Sequence, residues 1–295
     1  MSRPAPSVVL ELLKPITWFA PVWAFACGIV SAGGAVTDRW PAVLAGLLLA
    51  GPLVCGTSQA VNDWFDRHVD AINEPHRPIP SGRMPGRWGL AIAIGWTALS
   101  LLVAGLVGPF VLAAASFGLV LAWIYSAPPL RLKKNGWLGN AAVAICYEGL
   151  PWFTGAAVMS AALPDARILM LALVYSLGAH GIMTLNDFKS EEGDRRMGLG
   201  SLPVRLGTMP AARLACAVMA VPQLFVIATL WVWNLPFHAA AIAVLLAAQG
   251  VLMIRLLEDP KRRAAWYNAT GTTLYVLGMA VAAFALRSIL SGTGS

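Results

Sequence analysis

The sequence is short of charge and short of cysteine. Charged residues fill 12% of its 295 positions, where a soluble domain carries about a quarter. That excludes an ordinary water-soluble enzyme. The four cysteines, Cys27, Cys55, Cys146 and Cys216, lie singly inside apolar runs and form no Cys-x-x-Cys pair. Neither a zinc site nor a disulfide framework is expected, and buried inert thiols are. No basic stripe is interleaved with aromatics, so the net charge of +7 does not mark a nucleic-acid footprint. There is no low-complexity segment. The opening residues contain no separate apolar stretch followed by small residues, so no cleavable signal is expected.

What is abundant is apolar. Hydrophobic residues make up 58% of the chain, and the mean hydropathy is +0.69. A membrane-spanning helix needs roughly 20 apolar residues. Nine stretches qualify: 16–36, 41–61, 88–107, 109–125, 137–160, 167–185, 211–233, 236–257 and 270–290. Helices are the open-ended elements that satisfy their own backbone in lipid. The expectation is therefore an all-α, polytopic membrane protein with about nine transmembrane helices, one domain over 1–295, with the lipid bilayer as its solvent.

Lysine and arginine orient the chain. With the N-terminus in the cytoplasm, all of the 21 basic residues except Arg39, Arg167 and Arg287 fall on cytoplasmic segments. The long loops fall there too, at 62–87, 126–136, 186–210 and 258–269. The polar residues capable of chemistry thus collect on one face.

Two acidic segments lie on that face. The first is Asn62-Asp63-Trp64-Phe65-Asp66-Arg67-His68-Val69-Asp70, and the second runs from Asn186-Asp187 to Asp194. Both follow an apolar run. Their shared Asn-Asp start makes a weak internal repeat. On a helix, Asn62, Asp66 and Asp70 stack along one face, while Asp63 points about 100° away. Asp187, Glu191 and Asp194 make a second such stripe, with Glu192 one step off it. Oxygen ligands in this pattern suit Mg²⁺, which keeps water or substrate phosphate in its other positions. A solvated helix end is the plain alternative for one motif, but two matched motifs on one face argue for a diphosphate held between metals. Arg77, Arg131, Lys133, Lys134 and Lys189 lie beside the motifs and could neutralise such a group.

Two polar residues lie inside spans. Glu148, in the fifth, either lines a pocket or makes a structural hydrogen bond. His180 lies seven residues before Asp187. A histidine packed on a neighbouring helix is the plainer reading, and a substrate contact is the other.

The pattern Asn62-Asp63-x-x-Asp66-x-x-x-Asp70 resembles the first signature of the UbiA superfamily of intramembrane prenyltransferases. Three further stretches resemble its chlorophyll synthase branch: Ile72 to Gly82, Tyr125 to Trp137, and Asn186 through Asp194 on to Val204. The segments Leu13 to Trp18 and Tyr147 to Trp152 look most like the bacteriochlorophyll synthases of purple bacteria. One position departs from the superfamily. Its second motif often reads Asp-x-x-x-Asp, and Ser190 stands at the first of these. Asp187, Glu191 and Glu192 are the acids that could compensate.

The resemblance implies a UbiA-type helical bundle with an active site at its cytoplasmic end. It implies Mg²⁺-dependent transfer of a C20 prenyl group, geranylgeranyl or phytyl, from its diphosphate to the propionate of chlorophyllide or bacteriochlorophyllide. Asp66, Asp70, Asp187, Asp194 and Arg77 would then be catalytic. Asn62, Asp66, Asp70, Asp187, Glu191 and Asp194 would hold metal. Arg77, Tyr125, Arg131, Lys133, Lys134, Lys189, Glu148 and His180 would contact substrates, with His180 as a ligand to the chlorin magnesium. The site of action would be a bacterial inner, photosynthetic intracytoplasmic membrane, with pigment-protein assembly factors as a further class of partner. A quinone precursor or haem is the rival acceptor. A transporter or an assembly scaffold is the rival class, but a transporter places its ionisable groups near the midplane.

Overall fold

The computed structural model describes residues 3–292. Among them, nine helices are long and apolar enough to cross a membrane: α1 Pro15–Ala32, α2 Trp40–Asn73, α3 Trp88–Val107, α4 Pro109–Ser126, α5 Gly136–Ser160, α6 Ala166–Lys189, α7 Thr208–Val232, α8 Pro236–Glu258 and α9 Pro260–Ser291. A separate short helix, Pro6–Leu13, precedes α1. No strand is formed among the described residues, and the all-α expectation holds.

Two helices extend past the expected boundaries. Helix α2 continues to Asn73, so the whole first motif is helical. Helix α9 begins at Pro260, inside the segment expected to be a loop. Both extensions are polar, so hydropathy ends the span before the helix ends. The second motif goes the other way. Regular α-helix stops at Asn186, a tight 3₁₀ turn takes Asp187–Lys189, and a short helix covers Glu191–Arg196. The second acidic stripe is therefore broken.

Packing sets the frame for the site. Where α1 crosses α5, a Cβ on Gly28 would lie 2.1 Å from the carbonyl oxygen of Trp152, and one on Gly155 would lie 2.1 Å from that of Phe25. Lipid supplies no hydrophobic drive between helices, so small residues that permit such close approach hold the crossing. Beside it, Trp152 and Tyr175 stack with centroids 5.7 Å apart, and Tyr275 meets Tyr175 edge-on at 5.4 Å. This aromatic core joins α5, α6 and α9.

Two spans widen into π-helical turns, Leu49–Cys55 in α2 and Ile145–Gly149 in α5. Each is coupled to a proline, Pro52 and Pro151, which cannot complete the regular hydrogen-bond ladder. Both turns border the same interior cavity. At the motif-bearing end, two loops are zipped together: Gly136 N–H donates to the Gly200 carbonyl at 2.8 Å, and Gly200 N–H to the Lys134 carbonyl at 3.0 Å. A Cβ on Gly136 would sit 2.6 Å from the Leu202 nitrogen, so this approach requires glycine.

Candidate active site

A cavity of about 1330 Å³ opens among the spans. Its polar end is lined by Asn62, Asp66 and Asp70 from α2 and by Asp187 and Asp194 from the second motif. Arg77, Tyr125, Arg131, Lys133, Lys134 and Lys189 line it as well. The two motifs, 124 positions apart in sequence, thus face one space. Deeper in, its walls are largely apolar, including Leu49, Val54, Ala114, Gly118 and Val276.

The first motif is laced to cations. Asp66 Oδ1 accepts from Lys133 Nζ at 2.5 Å and from Arg131 at 3.2 Å. Asp70 Oδ2 accepts from Arg77 at 2.9 Å. Asn62 Nδ2 donates to Asp66 Oδ2 and to Ser126 Oγ, each at 3.1 Å. Burial works against the charge on Arg77, but Asp63 and Asp70 outweigh it and raise its pKa above the usual arginine value. Lys133 shows the reverse. Burial, helped by Arg131, pulls its pKa below the usual lysine value in spite of Asp66.

The second motif is different. Asp187 Oδ2 accepts from Asn140 at 3.0 Å, and Asp194 Oδ2 accepts from Ser190 Oγ at 3.2 Å. Among the described residues, neither aspartate forms an ion pair. Ser190 thus supports Asp194 instead of supplying a charge itself.

Three sequence expectations change here. Glu191 does not line the cavity. Its carboxylate pairs with Arg195 at 3.1 Å and lies 3.9 Å from Lys261. The 3₁₀ turn before it rotates it off the Asp187 face, so it is removed from the metal set. Glu192 is 73% exposed and pairs with Arg196. Of the three acids that could compensate for Ser190, Asp187 alone lines the cavity. His180 does not line the cavity either. Its Nε2 lies 3.2 Å from the Trp137 carbonyl, and its ring packs on the Trp137 ring at 5.8 Å. It is a packed histidine bridging α5 and α6, and its assignment to substrate is withdrawn.

Glu148 sits on the π-helical turn of α5, about three helical turns in from Gly136. It lines the cavity at 4% exposure, and its Oε2 has no hydrogen-bond partner. Of the two readings, the pocket-lining one matches this placement.

Several polar residues escaped sequence reasoning. Asn140 carries Asp187. Asn268 Nδ2 donates to Asn186 Oδ1 at 2.9 Å from the unexpected first turns of α9. Gln59 Nε2 donates to the Tyr147 hydroxyl at 3.0 Å on the cavity wall. Asp63, assigned no role from its helical position, is 1% exposed and faces Lys14 and Arg77. A lone Asn or Gln in an apolar span was the available signal for Asn140 and Gln59, whereas Asn268 lies outside the expected spans.

The donor set fits a hard divalent cation. Among the described residues, no group of three or more His, Cys, Asp or Glu side chains forms a ready cage. Two carboxylates that form no ion pair, sharing a cavity with two that pair with lysine and arginine side chains, suit Mg²⁺. It takes one or two carboxylates and completes its shell from water and phosphate. Asp187 and Asp194 would hold it from one side, and Asp66, Asp70 and Asn62 from the other.

The profile of the UbiA prenyltransferase family matches residues 20–277. The chain is 59% identical over 288 residues to the bacteriochlorophyll synthase 33 kDa chain of Cereibacter sphaeroides, covering 98% of this chain and 95% of that one. Identity to the protein of the same description from Rhodobacter capsulatus is 52%, covering 97% and 95%. Chlorophyll synthase of Oryza sativa is 40% identical, covering 94% of this chain and 76% of the plant protein. Among solved structures, a UbiA homolog from Archaeoglobus fulgidus bound to GPP and Mg²⁺ superposes with a TM-score of 0.73 at 20% identity, covering 95% of this chain and 99% of that one. That likeness is one of fold.

Proposed function

Because this chain belongs to the UbiA prenyltransferase family and is a multi-pass membrane prenyltransferase, we propose that it esterifies bacteriochlorophyllide. A C20 prenyl group, geranylgeranyl or phytyl, would pass from its diphosphate to the pigment's propionate. The observation that carries this reading is near full-length identity to bacteriochlorophyll synthase chains, joined to a cavity with a charged mouth and an apolar interior.

The charged mouth takes the diphosphate. Arg77, Arg131, Lys133, Lys134 and Lys189 can donate to its oxygens. Bound Mg²⁺ supplies Lewis-acid neutralisation of the leaving diphosphate. As the C1–O bond breaks, negative charge builds on that group, so the lysines and arginines stabilise the transition state more than the ground state. The apolar interior keeps water from the allylic cation. A propionate oxygen then forms the new bond to C1. Propionate is ionised at neutral pH, so the reaction requires no general base.

Glu148 serves the acceptor in this reading. A hydrocarbon tail offers nothing to a buried carboxyl, whereas a macrocycle with carbonyl substituents does. The bias of lysine and arginine supports a cytoplasmic mouth, in a bacterial photosynthetic inner membrane.

The test is direct. Purified protein is incubated with Mg²⁺ and geranylgeranyl or phytyl diphosphate, and offered bacteriochlorophyllide or 4-hydroxybenzoate. An esterified pigment is the expected product. Prenylated 4-hydroxybenzoate, with the pigment untouched, would assign the chain to another acceptor.

A further inference from the structure

Asp63 is the acid of the first motif that does not line the cavity. Its Oδ1 accepts from Lys14 Nζ at 2.6 Å and lies 3.5 Å from Arg77 Nη1. Its Oδ2 has no hydrogen-bond partner. Two cations flank this deeply buried side chain, and breaking a buried pair leaves an uncompensated charge. Arg77 is the link outward. It bonds Asp70 at 2.9 Å and itself lines the cavity mouth.

Lys14 provides a separate observation. Its backbone is left-handed, at φ 47° and ψ 71°, directly before Pro15. A side-chain-bearing residue is strained there, and the residue before proline favours extended backbone. Local bonds hold the strain: Thr17 Oγ1 donates to the Lys14 carbonyl at 2.8 Å, and Trp18 Nε1 to the Leu13 carbonyl at 2.9 Å. Strain kept in this way gathers at functional sites. A second tie runs from the same short helix, where Glu11 accepts two bonds from Arg83 at 2.6 and 2.7 Å. Arg83 also donates to the His76 carbonyl at 2.6 Å, one residue before Arg77.

We propose that Asp63 is a positioning residue for the diphosphate clamp, and that Lys14 couples the N-terminal helix Pro6–Leu13 to it. Asp63 orients Arg77 toward the donor, and Lys14 shares the buried charge so that Arg77 stays free to face the cavity. Asp63 holds no metal. The proposal rests on the reading of Arg77 as a diphosphate contact.

The experiment reads donor binding without any acceptor. Radiolabelled geranylgeranyl diphosphate is titrated onto full-length protein in lipid–detergent micelles, with Mg²⁺ and with inorganic pyrophosphate as competitor. Asp63→Asn should weaken donor binding about tenfold, the scale of losing an outer-shell support. The Mg²⁺ half-saturation at saturating donor should not move. Combined with Arg77→Ala, Asp63→Asn should add nothing further, because both act through one contact. Lys14→Met should weaken binding in the same direction. Unchanged donor affinity in Asp63→Asn and Lys14→Met overturns the proposal. A raised Mg²⁺ requirement in Asp63→Asn overturns it too, by making Asp63 a ligand. Wild-type protein that binds no prenyl diphosphate would instead sink the functional reading itself, and this proposal with it.

Discussion

Asn140 in α5 donates to Asp187 in the second motif across 3.0 Å, and its amide nitrogen also lies 3.4 Å from Thr184 Oγ1. Asn140 is 5% exposed. An amide in that position fixes which carboxylate oxygen is left toward the cavity. Asn140→Ala should therefore raise the Mg²⁺ concentration needed for half-maximal activity by about ten- to a hundredfold. A titration of activity against Mg²⁺ checks this. An unchanged midpoint would mean that Asn140 only packs.

Asp66→Ala and Asp194→Ala should abolish turnover while the protein still inserts and folds. They stand on opposite motifs lining one cavity. EDTA should inhibit the wild type, and added Mg²⁺ should restore it. Near-normal activity of either variant in a membrane assay would remove that residue from the metal site.

Asp187 and Glu191 should separate cleanly. Asp187→Asn removes a charge that lines the cavity, and activity should fall by at least about a hundredfold. Glu191→Gln disturbs contacts to Arg195 and Lys261 outside the cavity. Most activity should remain. The opposite ranking in parallel kinetic assays would restore Glu191 to the metal set.

Glu148→Gln keeps size and hydrogen-bonding capacity, so its effect should be mild. Glu148→Leu should weaken pigment binding by about 1–3 kcal/mol, the cost of a buried polar partner left unpaired. The KM for the prenyl donor should barely change, because the diphosphate sits at the mouth. Equal loss for both substrates with poor protein yield would make Glu148 a folding residue.

Gly28→Leu should compromise folding without touching the site. Its Cβ would meet the Trp152 carbonyl at 2.1 Å, and backbone cannot swing aside as a side chain can. Overpacking of this kind costs typically about 1–3 kcal/mol. Thermal denaturation in detergent should show a lower midpoint.

Much of the architecture was legible in the sequence because the bilayer enforces it. Apolar runs of fixed length must be helices, and Asn62, Asp66 and Asp70 needed only helical periodicity to share a face. The nine spans followed from hydropathy. What hydropathy could not see was helix continuing into water, as at Asn73 and Pro260. Asn268 was hidden for that reason. Periodicity also failed wherever the helix did. A 3₁₀ turn after Asn186 changes the angle per residue, so Glu191 left the Asp187 face while Asp187 and Asp194 line the cavity. Asp63 and His180 depended on partners from other elements. Lys14, 49 positions from Asp63 in sequence, and the Trp137 carbonyl, 43 from His180, come close only once the bundle has packed. Local sequence determines which residues form helices and which face is polar. Tertiary packing decided which charges meet, because burial and pairing depend on neighbours that the linear chain does not bring together.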